Sequence, residues 1–574
     1  MLNPRRKIFI GVAWPYVNDL FHIGNLAGAY LPPDIFARFH KLSGNEVLMV
    51  SGSDFHGTPI TIRASQERVK PEAIAMKFHK LNQEYLKKFR IEYTIYTSTH
   101  TNIHKKTVQD MFLRLMKGGY IKILKTKQLY SEKSQKFLQD RYIKGGCPYC
   151  YSEEARGDQC EACGRVLEPL ELINPISKID KSSLTIKPTE NYFFDLEKLQ
   201  KPIEKWLISR KEMREWVKKE ALGWIKEGLT ERAITRDMDY GVPLPTKYIS
   251  RDQKIENIKN KVFYVWFEAV IGYLSAAIEY SQRIKLPDYW KEFFYSPDGE
   301  TFYFVGQDNL VFHTINWPAQ LIAYDKKINL PKNVFVNKFL LLEGRKMSKS
   351  RHWYINTQHL LENYPVDSIR FYLAFNMPEQ KELDFRWNDF IETNNNILVA
   401  TIGNFIHRVI TFTVKSFGFN LRFTKSAFDK EVIKNIEGTF RDSSSCLEQG
   451  RFKEALKKII DLVSFGNQYV DKYKIWEINA QNKEKIKAVI QNNIAIIDAL
   501  RILLYPFMPD SAESLNTLLG YPRSTPLIKG VNNWKFKLPR EEIKFPQKMG
   551  PLFRKFDKKR VAVESEILGR GNTI

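Results

Sequence analysis

The sequence predicts an α/β chain: a parallel sheet of the nucleotide-binding type, interrupted by an inserted cysteine knuckle and followed by an all-α helical bundle. Three observations carry that reading. Apolar strand runs alternate with helical stretches over residues 7–120 and resume after residue 244. Four of the five cysteines fall in two close pairs between those stretches. Long 3.6-period segments with few Gly or Pro fill most of residues 389–508. At 574 residues, with ~150 residues per domain, about four structural units are expected. Charged residues at 27% and hydrophobic residues at 43% are ordinary globular values, which excludes disordered, collagenous and disulfide-scaffold chains.

Residues 1–120 hold the first half of the sheet. The run Ile8–Trp14 follows Arg5, Arg6 and Lys7 and so imitates a secretory leader. It is short, however, and meets Pro15, Asn18 and Asp19 with no small-residue cleavage site. It is predicted to be a buried first strand, with Glu46–Val50 as a second. No stretch approaches the ~18 consecutive apolar residues of a membrane span, so a soluble, cytoplasmic protein with no membrane partner is expected.

Residues 121–243 change character, to short strands, the cysteine cluster and helical stretches such as Trp206–Lys226, which marks an inserted domain. The cluster reads Cys147-x2-Cys150, nine residues, then Cys160-x2-Cys163, while Cys446 stands alone. Two such pairs bring four thiolates to one tetrahedral ion, and Gly145, Gly146, Gly157 and Gly164 allow tight turns around it. One structural Zn2+ is expected, since four thiolates leave no open position for a substrate. A rubredoxin-like iron site and a pair of disulfides are the alternatives, and the lack of a secretory signal argues against oxidation.

Residues 244–330 return to strand and helix, with Val262–Tyr280 and Thr301–Tyr324 completing the interrupted sheet. Residues 331–388 form a linker domain, in which the apolar run Val334–Leu342 precedes a basic turn from Gly344 to Arg351. Residues 389–545 are the predicted bundle, with helical stretches at Ile397–Val414, Phe452–Tyr473 and Ile486–Leu504. Residues 546–574 are a tail, and everything after Pro509 reads as Pro-rich and irregular. Lys and Arg number 89 against 65 Asp and Glu, a net charge of +24. That excess points either to a polyanionic partner such as nucleic acid or to a plain Lys-rich bias.

Two short segments carry chemistry. His22-Ile23-Gly24-Asn25 follows the first strand and is placed to open an Ala- and Leu-rich helix. Free N–H groups and the positive dipole end favour phosphate there, Gly24 admits close backbone approach, and His22 can donate to phosphate oxygens. Far downstream, Lys346-Met347-Ser348-Lys349-Ser350 puts two lysines on a turn that can follow charge onto a leaving pyrophosphate. Taken singly, the first is more often an ordinary helix start and the second a solvated loop. Together and in this order they resemble the HIGH and KMSKS signatures of the class I aminoacyl-tRNA synthetases. Asn25 replaces the final His of HIGH, and Asn also donates hydrogen bonds.

Within that class the chain resembles the methionyl-tRNA synthetases over nearly its whole length. The resemblance rests further on Ala13-Trp14-Pro15-Tyr16, Ser53 to Ile60, Val265 to Tyr273, Gly306-Gln307-Asp308-Asn309, Phe312-His313-x3-Trp317-Pro318, the re-entry segment Thr235 to Pro243 and the spacing of the cysteine knuckle. It implies a Rossmann-type catalytic domain, an anticodon-binding bundle, and attachment of methionine to its cognate tRNA through methionyl-adenylate, with Mg2+ accompanying ATP. It implies a methionine site at Ala13, Trp14, Tyr16, Asp54, Trp266, Ala269, Tyr273, Phe312, His313 and Trp317. Asp54 would hold the ammonium, while Tyr273 and His313 would reach the sulfur; a polarizable thioether suits aromatic faces. It places ATP at His22, Gly24, Asn25, Gly306, Asp308, Lys346, Met347, Ser348 and Lys349, with His22, Asn25, Lys346 and Lys349 as the catalytic contacts to phosphates. Anticodon reading falls to Asn404, Arg408 and Trp476.

Taken bare, the aromatic residues and Trp476 read as core, and Asn404 and Arg408 as surface. Trp14, Glu268, Val270 and Asn316 depart from the family's usual Leu, Asp, Pro and apolar residue. The alternatives are a cysteinyl, leucyl, isoleucyl or valyl synthetase, a non-catalytic tRNA-binding paralogue, or a nucleotidyltransferase of the same superfold. The last three of those synthetases usually carry a large editing insertion, and the transferase does not explain the bundle. With no recognisable dimerisation module, a monomer is expected.

Overall fold

The computed structural model describes residues 5–568, apart from 139–141, 158–159, 161, 164–166, 179, 350–351, 424–427, 480 and 523–532. Five strands form its main sheet: β1 Lys7–Val12, β2 Glu46–Ser53, β3 Ile95–Ser98, β4 Gly299–Gly306 and β5 Asn333–Asn337. All are parallel, in the order β5-β4-β1-β2-β3, with Phe9 opposite both Leu48 and Thr301. Side chains alternate across the sheet, so Ile8, Ile10 and Val12 enter one apolar core while Phe9, Leu48 and Val50 enter another. Burial on both faces explains why these strands read as continuous apolar runs. The strand order reverses at β1, and in open sheets of this kind the crevice beyond the carboxyl ends at such a point receives ligands.

The insertion lies between β3 and β4. Its long strand Ile121–Ser131 pairs antiparallel with Thr185–Phe194, and the cysteine region has its own small sheet, Ile143–Gly146 flanked by Ala155–Arg156 and Ile173–Ser177. The chain re-enters through Thr235–Asp237 paired with Lys261–Phe263, where the buried Lys261 ammonium lies 2.6 Å from Asp237 Oδ1. The stretch expected from Trp206 to Lys226 is two helices, Gln200–Ser209 and Glu215–Glu227. Arg210, Lys211 and Arg214 occupy the places that would continue the apolar stripe of Ile203 and Leu207.

The run Val334–Leu342 also divides. β5 ends at Asn337, and Leu340–Leu342 leaves to pair with Leu383–Phe385 and Arg345–Lys346 in a three-stranded sheet that carries the basic turn. In the bundle, Phe405, Val409, Ile436, Leu456, Ile459 and Ile494 share one core. The continuous helical run Trp387–Phe417 is, by length and composition, apolar enough to cross a membrane. Asn394, Asn395, Asn396, His407 and Arg408 interrupt it, so it holds no long run of consecutive apolar residues; Leu398, Ile402, Phe405 and Val409 face the bundle core. Nor is the region after Pro509 irregular throughout. It forms helices Pro509–Leu518 and Arg560–Ile567 and the strand Glu542–Lys544, Pro509 serving as a preset first helical residue.

One buried guanidinium ties distant segments together. From the helix Val366–Phe375, Arg370 donates to Asp34 Oδ2 at 2.7 Å, to the carbonyl of Phe89 at 3.0 Å, and to those of Pro506 and Phe507 at 2.9 Å each. A charge taken out of water holds its place only when its donors are met in this way.

Candidate active site and metal centre

A cavity of about 550 Å³ opens beyond the carboxyl ends of β1, β2 and β4. It is lined by Ala13, Trp14, Tyr16, His22, Gly24, Asn25, Asp54, Trp266, Ala269, Tyr273, Gly306, Asp308, Phe312, His313, Lys346, Met347 and Lys349. Of the residues the sequence assigned to methionine or ATP, only Ser348 and Trp317 fall outside its wall.

One end is basic. His22 caps the helix that begins at Ile23: its Nδ1 accepts the Gly24 N–H at 3.1 Å, while Asn25 Oδ1 accepts the His22 N–H at 3.0 Å. The replacement of His by Asn25 thus completes a reciprocal cap. With Nδ1 accepting, the proton of a neutral ring sits on Nε2. Burial, then the charge of Lys349, push the His22 pKa down to about 4, so the ring is neutral. Lys349 donates to the Leu20 carbonyl and lies 3.2 Å from Asp19 Oδ2, and burial lowers its pKa. The Lys346 ammonium stands 5.1 Å from the Phe339 ring centre, and the Met347 sulfur is 3.4 Å from where a side chain on Gly24 would begin. Ser348 is turned into a backbone pair with Trp353, at 2.8 and 2.9 Å, which keeps it off the wall. Ser350 lies outside the described residues.

The other end is aromatic. Trp266 and Phe312 stack at 4.4 Å with an interplanar angle of 9°, and Tyr16 meets Trp266 edge-on at 5.9 Å. Tyr273 Oη lies 2.7 Å from His313 Nε2, and His313 Nδ1 lies 2.9 Å from the Asn309 carbonyl. A carbonyl only accepts, so Nδ1 carries the proton; burial holds the ring neutral, its pKa near 4, and Nε2 therefore accepts from Tyr273. Both protons are committed in this arrangement, that of Tyr273 to His313 and that of His313 to the Asn309 carbonyl. Trp317 is fully buried one layer behind, its ring 6.1 Å from that of Tyr273, so it shapes the wall without forming its surface.

Of the departures, Trp14 has a local explanation. The Trp14 indole lies over Gly52 and Gly272, where an added Cβ would meet the ring at 2.4 and 2.9 Å. A large residue is accommodated by two positions without side chains. Val270 lines the cavity, whereas Asn316 lines a neighbouring one of about 640 Å³. Glu268 is fully buried between His56 and His104. No sequence pattern assigns either histidine a role: His56 lies within the stretch Ser53 to Ile60, and nothing local relates His104 to it.

A family model for class I tRNA synthetases of the methionine type matches residues 8–410, and one for the anticodon binding domain of methionyl tRNA ligase matches residues 424–561. The chain belongs to the methionyl-tRNA synthetase family. Methionine–tRNA ligase of Thermococcus kodakarensis is 39% identical over 580 residues, which cover 99% of this chain and 76% of that protein. The ligase of Dehalococcoides mccartyi is 40% identical over 567 residues, covering 98% and 99%. The solved structure of Mycobacterium tuberculosis methionyl-tRNA synthetase in complex with methionyl-adenylate shares the fold, with a TM-score of 0.75 at 19% identity over 96% of this chain and 99% of that one.

In this member of the methionyl-tRNA synthetase family, Cys147 and Cys160 are buried and Cys150 and Cys163 exposed, all as free thiols within 4.8 Å of one another. Cys147 Sγ lies 3.9 Å from that of Cys163, and Cys150 Sγ lies 3.6 Å from that of Cys160. A tetrahedral ion with metal–sulfur bonds of ~2.3 Å sets its sulfurs ~3.8 Å apart. The donors therefore fit one metal ion and not a pair of disulfides. In the bundle, Asn404 is exposed one helical turn from Arg408. The Arg408 guanidinium lies 5.4 Å from the Trp476 ring centre and 2.8 Å from Asp471 Oδ1. Trp476 sits just past the helix Phe452–Tyr473 and is 41% exposed, so it is no core residue.

Proposed function

We propose that this enzyme joins methionine to its cognate tRNA through methionyl-adenylate. The methionine carboxylate attacks the α-phosphorus of ATP in line and pyrophosphate leaves; a ribose hydroxyl of the terminal tRNA adenosine then attacks the activated carbonyl and AMP leaves. No side chain need be a nucleophile, so the protein works by alignment and by stabilising charge. What supports this reading most is that a single cavity joins a buried carboxylate and an aromatic wall to a helix start and two lysines.

In this reading Asp54 takes the ammonium, the wall of Trp266, Phe312 and Tyr273 takes the thioether, and Gly306 and Asp308 take adenosine. His22 donates from Nε2 to a phosphate oxygen, beside Gly24 and Asn25, while Lys346 and Lys349 follow charge onto pyrophosphate; Mg2+ bound with ATP shares that charge. Asn404, Arg408 and Trp476 read anticodon bases by stacking and hydrogen bonding. The excess of 24 positive charges steers tRNA in a salt-dependent way. The enzyme acts in the cytoplasm as a monomer.

Amino-acid-dependent exchange of labelled pyrophosphate into ATP, run with all twenty amino acids, tests this. Exchange with methionine alone is expected. Strong exchange with another amino acid would overturn the pocket assignment, and none at all in folded protein would make the chain a non-catalytic tRNA-binding paralogue. The knuckle holds a structural zinc ion in this reading: elemental analysis should find about one zinc per chain, and iron, or no metal, would contradict it.

A further inference from the structure

From Asp54 on the cavity wall, a chain of buried polar contacts runs inward through residues with no part in the reaction as described. Asp54 Oδ1 accepts the backbone N–H of His56 at 3.0 Å. The His56 ring then reaches Glu268 Oε1 with Nδ1 at 2.7 Å, and Glu268 Oε2 takes His104 Nε2. His104 Nδ1 lies 2.9 Å from Ser275 Oγ, whose own proton goes to the Gly272 carbonyl at 3.1 Å. Glu268 thus meets an imidazole at each carboxylate oxygen, with Ser275 behind the second ring. Asp54, His56 and Glu268 keep their ligand atoms within 4.8 Å of one another, all buried.

Two carboxylates so close in a site shielded from water do not both ionise easily. Glu268 has two imidazole partners against its oxygens; among the described residues the Asp54 carboxyl accepts only the His56 backbone N–H, and the His56 charge offsets burial and the Glu268 charge only in part. We propose that Glu268 is a positioning residue for methionine: through His56 it fixes the Asp54 carboxyl, and by its charge it makes capture of the methionine ammonium a proton-exchange step. This rests on Asp54 being the ammonium's partner. Asp54 enters the encounter as the neutral acid; the incoming ammonium supplies the missing countercharge, an ion pair forms, and the acid proton passes to bulk water.

The electrostatics agree. Burial, then the Glu268 charge, raise the Asp54 pKa to about 8, while His56 and His104 outweigh burial and hold Glu268 down, near 2. The other titratable groups around the cluster are Tyr240, edge-on to His56, then His100, 3.5 Å from His56 Nε2, and Glu72, which acts on both His56 and Tyr240. Below about pH 8 binding must displace a proton, so methionine affinity rises with pH until Asp54 is ionised in the free site.

Two measurements test this on the full-length enzyme. Calorimetric titration with methionine near pH 7, in buffers of different ionisation enthalpy, should show release of about one proton. The pH profile of methionine kcat/KM in pyrophosphate exchange should then be compared for wild type, Glu268→Gln and Glu268→Asp. Glu268→Gln should move the inflection about one pH unit towards acid and raise the methionine KM on the alkaline plateau about tenfold, with the ATP KM within about twofold. Glu268→Asp, which keeps the charge, should leave the inflection in place. Parallel losses for methionine and ATP without a moved inflection would make Glu268 merely structural and overturn the proposal. So would wild-type enzyme that exchanges with methionine but releases no proton on binding it, a result that does not depend on the variants folding. Wild type without methionine-dependent exchange would instead sink the functional reading, and this proposal with it.

Discussion

Lys349→Ala is expected to slow methionine-dependent pyrophosphate exchange by about 10²–10³-fold while leaving the methionine KM within about twofold. The asymmetry follows from the geometry. The Lys349 ammonium is held at the basic end of the cavity by Asp19 and the Leu20 carbonyl, away from the Trp266–Phe312 stack at the other. Buried enough for its pKa to fall, it acts in a medium where a fixed cation counts for more than in water. Negative charge developing on the departing pyrophosphate would offer it a stronger partner than Asp19, a gain realised only in the transition state. Stopped-flow measurement of adenylate formation, with methionine varied independently of ATP, separates the two parameters. A large loss of methionine affinity at an unchanged rate would contradict the assignment.

Trp476→Ala is expected to lower kcat/KM for tRNA about 10- to 100-fold while leaving pyrophosphate exchange unchanged, since stacking a base on an aromatic face is worth about 1–3 kcal/mol. Its exposed ring lies beside Arg408, so a base that stacks there meets a cation at its edge. Charging assays and exchange assays on the same preparation decide the matter. An equal fall in both would mean that the tryptophan supports the fold and does not touch tRNA.

What could be read from the sequence was what is local. The helix Phe452–Tyr473 appears with the bounds its periodicity predicts, and β1 and β2 are the apolar runs expected of strands covered on both faces. The signature segments and aromatic stretches meet in one cavity because each lies at the end of a strand or the start of a helix whose direction the sheet sets. The misses share a cause. Whether Trp206–Lys226 is one helix or two depends on where Arg210 and Arg214 find water or partners. The Glu268 cluster joins residues 212 and 164 positions apart in the chain, a pairing that fold topology decides and no local pattern announces.

Arg370 bears on how the protein comes apart. Its acceptors, Asp34 and Phe89 on one side and Pro506 and Phe507 on the other, come from segments far apart in the chain. Pulling the bundle away would strip carbonyls from a guanidinium that has no water to replace them, and pulling the sheet away would remove the carboxylate that balances its charge. Neither part can be released at the ordinary cost of separating two surfaces. Parting the helical bundle from the parallel sheet therefore carries, beyond lost apolar contact, the cost of a buried guanidinium left short of acceptors.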